Sequence, residues 1–286
     1  MTSLFELYRW GVEEIKSTAP DTAEYETALL IEKFFNVSRT KLLSFGKDIF
    51  PDEKDISSFR NGVKTRKSGE PLQYILGQWE FYGLAFKVGR GVLVPRADTE
   101  TLVDEGLEYL NKIHKENPTK KLKVLDLCSG SGCIAISVAK NCPFADVVAV
   151  ELNDIPLSYT LENITLNDIK NISVIKGDVL EIYADFSQFD LILSNPPYIP
   201  TKDIEDLSIE VKNEPVLALD GGDDGLLFYR VLGEKWADCL AVGGKMMVEI
   251  GIGQESDVED IFRKKLSNVY SKKDLNGIYR VVVGTK

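Results

Sequence analysis

Apolar residues recur along this chain with two different periods, and the change falls near residue 78. Up to about residue 77 the spacing is helical. Asp21-Thr22-Ala23-Glu24 reads as a capping box, and Tyr25, Leu29, Ile31, Phe34 and Phe35 follow it at roughly helical intervals. Ser38 can cap a short helix through Leu42 and Leu43, and Pro51 opens another with Ile56, Phe59 and Val63 on one face. Lys64, Arg66 and Lys67 at its end read as a solvated terminus that complements the helix dipole. Over residues 79–97 the pattern turns extended. Phe81, Leu84, Phe86 and Val88, then Gly89-Arg90-Gly91, then Val92, Leu93 and Val94 suggest a β-hairpin that Pro95 ends.

A helix from Asp98 to about Lys115 follows, and from Leu122 short apolar runs alternate with helical stretches. Strands are expected at 122–127, 146–151, 172–176, 189–194 and 244–250, with helices near 132–140, 155–167, 225–240 and 254–266. Asn268–Ser271 and Ile278–Val283 read as two closing strands joined by a turn at Asn276-Gly277. Such alternation predicts an α/β, doubly wound, mostly parallel sheet with helices on both faces. Three parts are therefore expected: a helical domain over 1–77, a β-hairpin linker over 78–97 and a sheet domain over 98–286.

Composition narrows the chemistry. No apolar run approaches the roughly 20 residues that span a bilayer, and Met1-Thr2-Ser3-Leu4-Phe5-Glu6 has no basic segment leading into an apolar one. A cytoplasmic protein is the expectation, with Cys128, Cys133, Cys142 and Cys239 reduced and in no zinc spacing. The single histidine, His114, lies in a polar stretch and reads as a solvated linker residue, which disfavours serine-hydrolase and histidine-ligated metal chemistry. No metal site is expected. The net charge of −11 opposes nonspecific attraction to nucleic acid, so a protein partner and no direct nucleic-acid binding are expected, with the chain a monomer.

Two constellations carry chemistry. Asn195-Pro196-Pro197-Tyr198 follows the apolar run Asp190–Ser194, where two prolines cannot continue a sheet. The tetrad places an amide and two rigid carbonyls at the carboxyl edge of the sheet, where open α/β folds bind ligands. Those acceptors suit a planar –NH2 group. The second is Val124 to Gly132, a strand running into the loop Cys128-Ser129-Gly130-Ser131-Gly132 ahead of a helix. Its glycines admit close backbone approach, and the helix start offers unpaired N–H groups. Glu151, ending the next strand, can accept both ribose hydroxyls of a nucleoside, so the loop alone allows either a nicotinamide dinucleotide or S-adenosylmethionine. Asp126, placed for an amino group, and Asp178 with Val179, placed for an adenine ring, favour S-adenosylmethionine.

On these residues the chain resembles the HemK-type protein-(glutamine-N5) methyltransferases, in the branch that modifies peptide chain release factors. The resemblance covers nearly the whole sequence. It includes Gly69–Gly77, Phe81–Phe86, Val94–Glu100, the glycine loop, Asn195–Tyr198 and Glu214–Leu226. Ala97-Asp98 stand where the family usually has Pro-Glu, Asn213 where it often has an aromatic residue, and Glu151 where aspartate is commoner. The resemblance implies a seven-stranded methyltransferase sheet and S-adenosylmethionine as methyl donor. It also implies class-1 release factors as protein substrate, modified at the glutamine of their Gly-Gly-Gln loop.

On that reading Asn195, Pro196 and Tyr198 are catalytic. Asp126, Cys128–Gly132, Glu151, Asp178, Val179 and Asn195 hold the cofactor. Asn195–Tyr198, Glu214 and Pro215 face the substrate. Competing readings are glutamine methylation of a ribosomal protein and N6-adenine methylation of nucleic acid, which uses a similar site on a flipped base. Residues 1–80 carry 11 basic against 13 acidic side chains, which is poor equipment for reading nucleic acid.

Overall fold

Ser3 opens helix α1 (Leu4–Ile15) with a reciprocal cap: its side chain accepts from Glu6 N, and the Glu6 carboxylate accepts from Ser3 N at 2.8 Å. The structure, a computed structural model, describes residues 2–186 and 188–286. Helices α2 (Ala23–Phe35), α3 (Arg39–Phe45), α4 (Glu53–Lys67) and α5 (Leu72–Leu76) complete the helical region. Leu7, Leu30, Ile31, Phe59 and Val63 are central to its core. Gly11 permits the close packing: a Cβ there would lie 2.7 Å from Thr27 Cγ2 and 3.1 Å from Phe59 Cζ.

Strands β1 (Gln78–Phe81) and β2 (Leu84–Lys87) form a hairpin, followed by α6 (Glu100–Glu116). The alternating region then runs β3 (Leu122–Leu127), α7 (Cys133–Asn141), β4 (Ala145–Glu151), α8 (Asp154–Leu166), β5 (Ile172–Lys176) and β6 (Phe189–Ser194). After it come α9 (Ile209–Lys212), α10 (Leu227–Glu234), β7 (Leu240–Glu249), α11 (Glu255–Phe262), β8 (Ser267–Lys273) and β9 (Tyr279–Thr285). Seven strands pair in the order β5-β4-β3-β6-β7-β9-β8; β9 is antiparallel to both its neighbours, and the remaining pairs are parallel. Period-two alternation sorts the two cores. Val124, Val147, Leu193 and Met247 pack with residues of α6 and α7 on one face. Leu125, Val150, Ile192 and Val248 pack with Tyr229, Trp236 and Phe262 on the other. The strand order reverses beside β3, and ligands bind at such a switch point.

The structure departs from the sequence reading in several places. The hairpin turns at Tyr82-Gly83, both at positive φ (53° and 71°), not at Gly89-Arg90-Gly91. Those later glycines serve packing instead. A Cβ on Gly89 would stand 2.2 Å from Tyr159 Oη, and one on Gly91 2.8 Å from Ile155 Cγ2, so they let α8 come close. The capping box falls at Ser3, while Thr22 makes no side-chain cap and donates to Glu26 Oε1 instead (2.7 Å). Tyr25 is half exposed, outside the core. His114 is no linker residue: it lies in the last turn of α6, stacked 3.8 Å from Phe144 at an interplanar angle of 3°.

Arg66 is the largest departure. It is 1% exposed, grips both Glu26 oxygens (2.5 and 3.1 Å) and donates to Glu210 Oε1 at 2.5 Å. Ser208–Asn213 accordingly belong to the same compact unit as the chain up to Gln78, while Trp79–Leu207 and Glu214–Lys286 form the other unit. The sequence reading assigned 208–213 to the sheet domain and the whole hairpin to a separate linker. A buried guanidinium that requires a second carboxylate accounts for the first difference.

Candidate active site

The glycine loop is built from the backbone outward. Cys128 leaves β3 at φ +62°, Gly130 and Gly132 follow at +56° and +79°, and Gly132 N returns to Ser129 O (2.8 Å). The loop is moored on both sides. Gly130 N donates to Glu151 Oε2 (2.9 Å), Thr160 Oγ1 donates to Gly130 O (2.8 Å), and Asn163 Nδ2 donates to Ser131 O (3.0 Å). A side chain at Gly132 would strike Thr160 Cγ2 at 2.8 Å, whereas a Cβ on Gly130 would meet nothing within 4 Å. Gly130 thus presents open backbone.

Two acids flank this loop and behave differently. Asp126 is fully buried; its Oδ2 accepts from Ala135 N (3.1 Å), and its Oδ1 has no partner. Burial, with the nearby Glu151 charge adding to it, pushes Asp126 up to about 8, against the lowering hydrogen bond from Ala135 N. Glu151 is committed at both oxygens, to Gly130 N and to Asn153 N (2.9 Å each). Its geometry makes it a tether of the loop, a role the sequence did not show. Ser129 is buried with an unpartnered hydroxyl. The orphaned Asp126 Oδ1 and Ser129 Oγ beside the uncovered Gly130 backbone fit a ligand carrying a cationic amino group and hydroxyls.

After β5, Asp178 Oδ1 accepts from Leu180 N (2.8 Å) and closes a turn. Val179 is buried in the core, and its carbonyl accepts from Trp236 Nε1 (2.8 Å). Burial raises the thiols of Cys128 and Cys133 well above their ordinary range, so neither is a thiolate at neutral pH.

The tetrad leaves the end of β6 with all its peptide bonds trans among the described residues. Pro196 and Pro197 are buried, and Asn195 and Tyr198 are half-buried. Residues 214–226 wrap around this turn. Ile199 N donates to Leu219 O (2.9 Å), and Gly221 N donates to Ile199 O (2.8 Å). Three glycines make the wrap possible: a Cβ at Gly221 would lie 2.8 Å from Tyr198 Cα, at Gly225 2.4 Å from Tyr198 O, and at Gly251 3.1 Å from Tyr198 Cδ2. Gln254 Nε2 also donates to Tyr198 O (3.0 Å). Burial pushes the Tyr198 hydroxyl up to about 12, so it is neutral.

Glu214, expected to face the substrate, is engaged within the protein. It is 4% exposed, its Oε2 accepts from Val94 N (2.9 Å), and its Oε1 pairs with Arg96. It holds the chain entering α6, and Pro215 beside it precedes the short turn Val216–Ala218. The residues that sequence reasoning missed are Thr99 and Glu249. Asn195 Nδ2 donates to Thr99 Oγ1 (3.2 Å), and Glu249 ends β7 beside the tetrad with 2% exposure. Glu249 was detectable as an acid ending the apolar run Met246-Met247-Val248.

Comparison with known proteins agrees with this layout. A Methyltransferase small domain model matches residues 99–212, and a PrmC N-terminal domain model matches residues 6–77. The release factor glutamine methyltransferase of Geobacter sulfurreducens is 41% identical over 278 residues, covering 96% of this chain and 94% of its own. That of Thermodesulfovibrio yellowstonii is 41% identical over 223 residues, covering 77% and 78%. Among solved structures, the T. thermophilus 16S rRNA N2 G1207 methyltransferase in complex with AdoMet and guanosine aligns with a TM-score of 0.50 and 20% identity, over 73% of this chain and 49% of that one. That last likeness is one of fold. The near full-length identity to the first relative decides the family: this chain belongs to the release factor glutamine methyltransferases.

Proposed function

We propose that this protein transfers a methyl group from S-adenosylmethionine to the side-chain amide nitrogen of the Gly-Gly-Gln glutamine in class-1 release factors. The observation that carries the reading is the meeting of the two constellations at the ends of β3 and β6, which are adjacent parallel strands (Leu127↔Ser194). On this reading Asp126 Oδ1, unpartnered in the protein, would receive the cofactor amino group, Glu151 its ribose, and the Gly130 backbone and the Asp178 turn the remainder. When bound, S-adenosylmethionine supplies an electrophilic methyl carbon.

The chain's own residues supply positioning. A carboxamide nitrogen is a poor nucleophile because its lone pair is delocalised into the carbonyl. Asn195 Oδ1 and the Pro196 carbonyl accept its two hydrogens, orient the nitrogen and favour bending as positive charge develops there. The nitrogen lone pair would form the new N–C bond as the methyl carbon–sulfur bond breaks and its electron pair returns to sulfur, leaving a neutral thioether, and the nitrogen then sheds one proton to solvent. Tyr198, neutral and half-buried, packs against the glutamine and excludes water. The reaction therefore needs no histidine.

A single amide cannot specify one glutamine among all those in a cell, so selectivity comes from contacts away from the reaction. The helical unit supplies them on this reading: Leu43, Phe45 and Phe50 are 57%, 60% and 53% exposed within eight residues of sequence. The test offers labelled cofactor with intact release factor, a short Gly-Gly-Gln peptide, ribosomal protein and DNA. Label in the release factor glutamine is expected; label in ribosomal protein or DNA alone overturns the reading. Leu43→Glu with Phe45→Glu should slow transfer to intact release factor and leave the peptide rate unchanged. Equal slowing on both substrates removes the recognition role.

A further inference from the structure

β6 and β7 run parallel with Ser194 opposite Val248, so Asn195 and Glu249 follow as neighbours on one face of the sheet. Thr99, in the turn Ala97–Thr99 that opens α6, is 2% exposed and sits over the same face. Thr99 and Glu249 are buried there, while Asn195 is half-buried and reaches the site. Asn195 Nδ2 donates to Thr99 Oγ1 at 3.2 Å, and both side chains stand near enough to the Glu249 carboxylate to favour its ionised form. Glu249 Oε2 is left without a partner, and the Glu249 backbone is pinned by Tyr229 Oη, which donates to its carbonyl at 2.9 Å.

We propose that Glu249 and Thr99 are positioning residues that fix which face of the Asn195 amide meets the substrate. The inference rests on the reading that Asn195 Oδ1 accepts a substrate amide hydrogen. An asparagine amide has one accepting and one donating end of nearly equal size, and its orientation is set by its neighbours alone. An ionised carboxylate only accepts. It draws the Thr99 hydroxyl proton towards itself, which leaves the Thr99 oxygen to accept from Asn195 Nδ2. The donor end of Asn195 is then consumed inside the protein, and Oδ1 is the end presented to the site. A neutral Glu249 has an O–H to donate. That proton can satisfy Asn195 Oδ1, so the amide can reverse and offer –NH2 to another –NH2, which cannot bond to it.

The arrangement makes the orientation depend on protonation. Burial pushes Glu249 up to about 7; hydrogen bonds from Thr99 and Asn195 and the Arg280 charge lower it, and Asp98 raises it. The titratable groups around it are Arg280 from β9, Asp98 from the turn before α6, Tyr198, Tyr229 and Cys133. Arg280 is itself held by Asp98 (2.7 Å) and Asp274 (3.1 Å). The two tyrosines and the cysteine are neutral across the window, which leaves Glu249 as the group of this cluster that changes charge near neutrality.

The test measures single-turnover transfer against pH with cofactor saturating, so that titration of Asp126 in the free cofactor site does not enter. Wild type should lose rate about tenfold per pH unit below about 7. Glu249→Gln keeps the shape but offers an NH2 to Asn195, and should run about 10²-fold slower at high pH, with the acid limb gone and cofactor affinity unchanged. Thr99→Val should show a similar loss and Thr99→Ser should restore it, which covers the case of Glu249→Gln failing to fold. A second arm needs no turnover. In the cofactor-free protein, NMR should show the Asn195 NH2 protons close to the Thr99 methyl group at high pH and losing that contact as the Glu249 carboxyl carbon titrates. Glu249→Gln with a wild-type rate and an intact acid limb overturns the proposal, as does an Asn195 amide that ignores Glu249 titration. Absence of transfer to release factor in wild type overturns the substrate reading instead, and the NMR arm still decides this one.

Discussion

The two halves of the site are built in opposite ways. The cofactor half is local: nine consecutive residues from Val124 to Gly132 make the strand, the loop and the entry to α7, and neighbouring side chains moor them. The substrate half is distributed: Thr99, Asn195–Tyr198, Gly221 with Gly225, and Glu249 with Gln254 come from four separate stretches. Backbone conformation fixes the first half, and side-chain pairing fixes the second. Substitutions in the first should therefore act mainly through ligand affinity, and those in the second through rate or through folding of the segment.

Asn195→Ala is the strongest test of that contrast. It removes the acceptor that matters most as the amide nitrogen gains charge, so single-turnover transfer should fall roughly 10²–10³-fold with cofactor binding nearly untouched. Tyr198→Ala should do less to the transfer step and more to substrate affinity. A normal rate at position 195 sinks the tetrad mechanism.

Glu214→Ala probes the folding side of the distributed half. It leaves Val94 N buried without an acceptor and Arg96 without its carboxylate. A loss of about 1–3 kcal/mol in denaturant unfolding is expected, because a buried donor then bears its full desolvation cost. If Glu214 instead served the substrate, stability would hold and KM alone would rise.

The same contrast explains what could be read from the sequence. The glycine loop and tetrad are each contiguous in sequence, and the strands of the sheet are legible by period, although β7 starts at Leu240, where the pattern predicts the end of a helix. Thr99 and Glu249 could not be joined to Asn195 from sequence, because they lie 96 residues before it and 54 after it. Arg66 looked like a solvated helix end because its partners, Glu26 and Glu210, stand 40 and 144 residues away. The hairpin turn lies elsewhere for a related reason: Gly89 and Gly91 carry the stronger turn signal, yet helix packing demands them. One consequence is practical. A fragment beginning near Gln78 would retain Ser208–Asn213 without Arg66, so surface substitutions test the helical unit more cleanly than truncation does.

Glu151→Ala moves to the local half. It removes an acceptor for ribose hydroxyls and also the tether on Gly130 N. Cofactor affinity should fall by about 1–3 kcal/mol, with transfer at saturating cofactor changed far less. Calorimetry showing unchanged affinity would take Glu151 out of the cofactor site. Amide exchange at Gly130 separates the two contributions, since it should speed up only if the tether is lost.

Asp126→Asn has the smallest effect and the most specific signature. The folded group titrates at about 8, against 3.8 for an ordinary aspartate. Between those values the folded protein holds a proton that the unfolded chain has released, so stability falls as pH rises through that window and levels off above it. An asparagine can still accept from Ala135 N and carries no charge to bury. The variant should match wild type below pH about 4 and melt a few degrees higher above pH about 8, while binding S-adenosylmethionine more weakly. The wild type should also release a proton on binding cofactor at neutral pH, because an ammonium beside Asp126 favours the carboxylate. Calorimetry in buffers of different ionisation enthalpy reads that proton directly. Its absence, or a melting difference that does not vary with pH, would remove Asp126 as the acid that receives the cofactor's amino group.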